Sequence, residues 1–78
     1  MSHAKKTYSK AEMTLLENAI RDHIKEIGSI DKCKSMIGDY GLYKKALLTD
    51  SPTFVYDHRI ASYGIECLRL QIIKLKKA

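Results

Sequence analysis

Apolar residues recur at steps of three and four along most of this chain, and nowhere does strict alternation run past four residues. That rhythm predicts helices and no sheet. Met13, Leu16, Ile20, Ile24 and Ile27 make one continuous face, while Glu17, Arg21, Asp22, Lys25 and Glu26 occupy the others. The face is preceded by Ser9-Lys10-Ala11-Glu12, which has the S-x-x-E form of a capping box. A helix over 10–27 follows, with Gly28 as the expected stop in a left-handed conformation. Ser29 can cap a second helix, and Asp31 stands well in its first turn. Cys33, Met36, Ile37, Tyr40, Tyr43 and Leu47 carry that helix on. Gly38 and Gly41 weaken it by about 1 kcal/mol each relative to alanine. Three readings stay open: the second helix kinks at these glycines, two short helices meet there, or one long broken helix covers 10–48 in which Gly28 is only a bend.

Thr49-Asp50-Ser51-Pro52-Thr53 is the clearest break, because proline is excluded from helix interiors and constrains the residue before it. The expected organisation is one small domain: a flexible basic N-terminus over 1–8, a helical region over 9–48, a break over 49–56 and a C-terminal helix over 57–76. The last helix is apolar on several sides. Ile60, Ala61, Gly64, Cys67, Leu68, Ile72 and Leu75 share one face, yet Tyr63, Ile65, Leu70 and Ile73 lie elsewhere around it. Such a helix must be covered on several sides. The expected fold class is therefore all-α, an antiparallel helical hairpin or three-helix arrangement with a short N-terminal extension, assembling into a homo-oligomer. Gly64 would permit close helix contact. The competing reading is a three-helix monomer with some exposed aliphatics.

The chain has 78 residues, too few for a large core, and a fold of this size gains most from a partner or a staple. No apolar run approaches the about 20 residues of a membrane span. The N-terminus lacks an apolar signal core, so a cytoplasmic setting is expected. The net charge of +5 is concentrated at the ends. Lys5, Lys6 and Lys10 precede residue 11 and Arg69, Lys74, Lys76 and Lys77 follow residue 66, whereas the body between them is slightly acidic. Basic ends attract phosphate in any form, although lysine-rich ends also simply keep a small protein solvated. Cys33 and Cys67 have neither CxxC spacing nor matching histidines, and both read as reduced, buried small side chains. His3, His23 and His58 form no metal-binding pattern, so no metal and no cofactor is expected. No nucleophile stands beside a base, no glycine-rich phosphate loop occurs and no carboxylate pair is marked out, so the chain does not read as an enzyme.

Binding is better supported. Tyr8, flanked by Lys5, Lys6 and Lys10, can stack on a nucleobase while ammonium groups meet phosphate. It can equally act as a staple on Met13 or Leu16. Arg59 lies near the start of the last helix with Ser62 and Tyr63 one turn on, a small phosphate grip. Its commoner alternative is a surface ion pair of Arg59 with Asp57 or Glu66.

Asp57-His58-Arg59-Ile60-Ala61-Ser62-Tyr63-Gly64, leading to Leu68, Ile72 and a basic end, resembles the closing helix of a phage anti-defence family. These are the small helical-hairpin sponges that counter CBASS immunity by sequestering cyclic oligonucleotide signals. Tyr8-Ser9-Lys10-Ala11-Glu12 is similar to the family's aromatic and capped opening turn, and Ile60 stands where an aromatic is usual. The resemblance implies a helical homohexamer that binds cyclic dinucleotides between subunits. It implies that Tyr8 stacks on a base, that Lys25 (with Lys10 as substitute) contacts the ligand, and that Arg59 with Ser62 or Tyr63 holds phosphate. Two other expectations compete with it. One is a small basic helical protein that binds nucleic acid through its lysine-rich ends, and the other is an inhibitor that docks on a host protein through an amphipathic helix.

Overall fold

A computed structural model describes residues 8–77 of the chain. The expectations for residues 1–7, including Lys5, Lys6 and His3, fall outside the described residues. Three helices are present: α1 (Lys10–Lys25), α2 (Ile30–Ala46) and α3 (Phe54–Lys77). The described residues contain no strand. The packed pairs are α1 with α3 and α2 with α3, so the longest helix is the shared partner of the other two.

Local chemistry sets the helix starts. The Ser9 hydroxyl accepts the Glu12 backbone N–H at 3.1 Å, and the Ser9 N–H donates to Glu12 Oε1 at 2.8 Å. That is the reciprocal capping box expected from the sequence, and it satisfies N–H groups that have no partner within the helix. Ser29 caps α2 in the same manner, accepting the Lys32 N–H at 3.2 Å, with Asp31 in the first turn. Pro52 sits in a turn closed by the Phe54 N–H donating to the Ser51 carbonyl at 3.1 Å. The Thr53 hydroxyl then donates to Asp57 Oδ2 at 2.8 Å across the first turn of α3.

The ends depart from expectation. The first helix stops at Lys25 rather than 27, and Gly28 is not its left-handed terminator: no described glycine has a positive φ. Instead the last turn tightens, with Glu26 and Ile27 N–H groups donating to the carbonyls three residues back, His23 and Ile24. Gln71 of α3 completes this end. Its side-chain nitrogen donates to the Ile27 carbonyl at 2.8 Å and to the Lys25 carbonyl at 3.4 Å, from a buried position. The reading of one long broken helix over 10–48, with Gly28 only a bend, gives way to two separate helices with residues 26–29 between them. Two short helices do not meet at Gly38 and Gly41, since α2 runs through both. Packing of Cys33, Met36, Ile37 and Tyr40 offsets the glycines' weak helix preference. The last helix begins at Phe54, three residues before the expected Asp57, because Pro52 lies fully outside it and constrains only Ser51.

The core consists of Ile24, Ile27, Cys33 and Leu68, bordered by Ile20, Met36, Ile37, Tyr40, Cys67, Ile72 and Leu75. Met13 and Ala61 are buried as well. Cys33 and Cys67 are free, the first buried and the second half-buried. Gly64 does admit a close contact, but within one chain: a Cβ there would lie 2.7 Å from Cζ of Tyr40, so the ring of α2 rests on the backbone of α3. Because α1 and α2 both pack on α3, two helices cover more of it than its apolar pattern suggests. Tyr63, Ile65 and Cys67 are half-buried, and only Val55, Leu70 and Ile73 remain exposed among its large aliphatic side chains.

Candidate functional site

The residues expected to bind a ligand separate into two groups. Tyr8 and Lys10 lie at the start of α1. Lys10 is exposed in the first turn. Tyr8 is engaged within the chain: its hydroxyl donates to Asp57 Oδ1 at 3.1 Å, and its ring meets that of Tyr56 edge to face, with centroids 5.6 Å apart. The hydrogen bond to Asp57, followed by burial and the carboxylate's charge, raises the Tyr8 pKa. The described partners of Tyr8 thus stand at the opening turn of α3.

The other four residues line adjoining hollows along the α1–α3 seam. Arg59, Ser62 and Tyr63 share one hollow of about 320 Å³ with Glu17 and Glu66. The expected pairing of Arg59 with Asp57 or Glu66 is replaced by one across helices: Arg59 Nε lies 3.2 Å from Glu17 Oε2. The replacement follows from α1 packing beside α3, which the sequence pattern alone does not reveal. Arg59 is 68% exposed and Glu17 only 21%, so the arginine reaches inward to a carboxylate already shielded by the seam. With two carboxylates against one guanidinium, this hollow by itself is a poor phosphate seat.

The cation-rich part of the seam is the neighbouring hollow of about 280 Å³, which holds Lys25 and Tyr63. Arg21 and Lys74 also line it, Ile24 and Leu70 supply apolar floor, and Glu66 is the only acid among its described lining residues. Tyr63 and Glu66 are common to both hollows. Burial raises the Tyr63 pKa first. A hydrogen bond with the Cys67 thiol and the nearby Cys67 and Glu17 charges add to the rise, and Arg21 opposes it. The Tyr63 phenol is therefore a neutral hydrogen-bonding group at physiological pH.

Arg21 and Lys74 were missed by sequence reasoning. Arg21 and Lys25 are four residues apart and share a helix face, which is a readable signal. Lys74 joins them only because α3 returns past the end of α1. Among the described residues, no three His, Cys, Asp or Glu side chains are grouped so as to hold a metal, and His23 and His58 are exposed. No described helix is long and apolar enough to cross a membrane.

These features define the chain at the level of class: an all-α three-helix domain with a mixed-charge seam between its first and last helices. No family model, curated protein or solved structure matches it.

Proposed function

We propose that the protein is a non-enzymatic binding module that captures cyclic di- or oligonucleotide messengers, in the manner of the sponges that block CBASS signalling. The observation that carries this reading is the α1–α3 seam. There Arg21, Lys25 and Lys74 surround an apolar floor beside the Tyr63 ring, so one surface offers both cations for phosphate and apolar area for a base or ribose. Arg59 and Ser62 extend it. The phosphate seat in this reading is centred on Arg21 and Lys25 of α1 and on Lys74, which lies about four turns from Arg59 along α3. Tyr8 takes part only once it leaves Asp57.

Assembly into a homo-oligomer, as a homohexamer, belongs to the same proposal. Leu15, Leu42, Leu48, Val55, Leu70 and Ile73 are all half or more exposed, on all three helices and the α2–α3 connection. Burying such side chains against copies of the same chain yields about 25 cal/mol per Å² and would close shallow hollows into shared crevices.

Calorimetry with cyclic di-GMP and cyclic di-AMP tests the reading. The expected result is binding at micromolar Kd or tighter, weakened about tenfold by Lys25→Ala as a charge-assisted contact is lost, with the ligand recovered unaltered. No heat at tens of micromolar protein would end the proposal.

A second reading has its own observation. After Glu66, α3 carries Arg69, Lys74, Lys76 and Lys77 and no acid. A basic helix end of this kind fits the backbone of a nucleic acid. It predicts duplex binding that falls steeply with salt and weakens when Lys76 and Lys77 become alanine, with indifference to cyclic dinucleotides.

A further inference from the structure

We infer that the seam selects guanine among nucleobases, with the Glu66 carboxylate as the group that reads it. This rests on the proposed capture of cyclic nucleotides and names the base that the same site prefers.

Glu66 occupies a singular position. It borders the cation-rich hollow with Arg21, Lys25 and Lys74, the adjoining one with Arg59 and Ser62, and a third with Lys44 and Arg69. It is exposed, and its carboxylate makes no hydrogen bond or ion pair with the described residues, whereas the neighbouring Glu17 is held by Arg59. A free carboxylate beside a phosphate seat is unfavourable for a bare anion. Like charges in close approach repel, and more strongly at a protein surface than in open water. The penalty is relieved when the ligand brings donors to the carboxylate.

Nucleobases differ sharply in that respect. Guanine presents two adjacent donors, N1–H and N2–H, spaced to meet both oxygens of one carboxylate. Adenine and cytosine present one exocyclic amine and uracil one ring N–H, so each leaves a carboxylate oxygen unmet. Guanine also carries two acceptors, O6 and N7, on the edge that arginine engages. Arg59 is paired to Glu17 through Nε and is largely exposed, and it lines the same hollow as Glu66. A phosphate over Arg21, Lys25 and Lys74 therefore leaves its base beside Tyr63, between a carboxylate fork and a guanidinium. Guanine satisfies both.

Parallel calorimetric titrations with cyclic di-GMP, cyclic di-AMP and cyclic di-UMP on the wild type and on Glu66→Gln provide the test. The expected result is an advantage of about tenfold for cyclic di-GMP over the other two, of the size of one bidentate base contact. In Glu66→Gln that advantage is lost, while cyclic di-AMP binds at least as tightly as before because a negative charge is gone. Glu66 is exposed, and an unchanged melting curve will show that the variant folds. Equal binding of the three ligands by the wild type overturns the guanine preference and leaves nucleotide capture standing. A preference that survives in Glu66→Gln overturns the assignment to Glu66. Binding of none of them overturns both capture and selectivity.

Discussion

Tyr8 shows how far a single side chain can be redirected by its neighbours. In isolation it is an aromatic among lysines. In the fold it closes a small network at the start of α3, in which Asp57 accepts from the Tyr8 phenol on one oxygen and from the Thr53 hydroxyl on the other. The sign of its pH effect follows from the raised pKa. The folded state keeps the phenol neutral beyond the ordinary value of 10.0, so its stabilisation is whole below pH 10 and is lost as pH rises through the raised folded value. Tyr40, Tyr43 and Tyr63 are raised too, chiefly by burial, and act in the same direction. Thermal melts between pH 8 and 11 should show a fall in Tm that begins near pH 10 and is shallower in Tyr8→Phe. At neutral pH that variant should lose about 1 kcal/mol or less, the net worth of one partly solvated hydrogen bond. An equal alkaline fall in both proteins would remove Tyr8 from the network.

At the scale of elements, each helix is started by its own sequence and placed by α3. The capping residues Ser9 and Ser29 act wherever their helices lie. The end of α1 is different, because its carbonyls are satisfied by Gln71, 44 residues from Ile27 along the chain. The α2–α3 contact depends on Gly64, whose missing Cβ leaves room for the Tyr40 ring. Gly64→Ala sets a methyl against that ring. It should cost about 1–3 kcal/mol of overpacking, despite alanine's better helix propensity, as measured by urea unfolding. In a Tyr40→Leu background the same change should be neutral or stabilising. If Gly64→Ala stabilises the protein while Tyr40 is present, the two helices are not in the contact described.

For the whole molecule, the open question of chemistry is how the exposed aliphatic side chains are used. Two helices shelter most of α3, so the case for assembly rests on the aliphatics that α1 and α2 leave uncovered, Leu70 at 59% and Ile73 at 50% exposure among them. Sedimentation of the wild type at high micromolar concentration should give a multiple of 8.9 kDa, with six copies expected for a sponge. Leu70→Glu with Ile73→Glu should shift it towards the single chain without loss of helix signal, because neither side chain belongs to the buried core. A wild type that sediments as one chain would remove the shared crevices and leave the α1–α3 seam as the only surface for capture.

The helical class, the three apolar rhythms, both serine caps and the break around Pro52 were legible in the chain, because each is a local matter of periodicity, hydrogen-bond donors or backbone restriction. Arg59, Ser62 and Tyr63 were legible as neighbours within one turn, but Lys25 was legible only as a chemically apt residue and not as their neighbour. The placing of Lys25 beside Tyr63, the pairing of Arg59 with Glu17 rather than with Asp57 or Glu66, the tethering of Tyr8 to Asp57 and the closing of α1 by Gln71 all join positions more than 35 residues apart. No spacing rule encodes such pairs. They arise when α3 folds back between two helices, and the physical reason is that side-chain periodicity says which face of a helix is buried but not which helix will cover it.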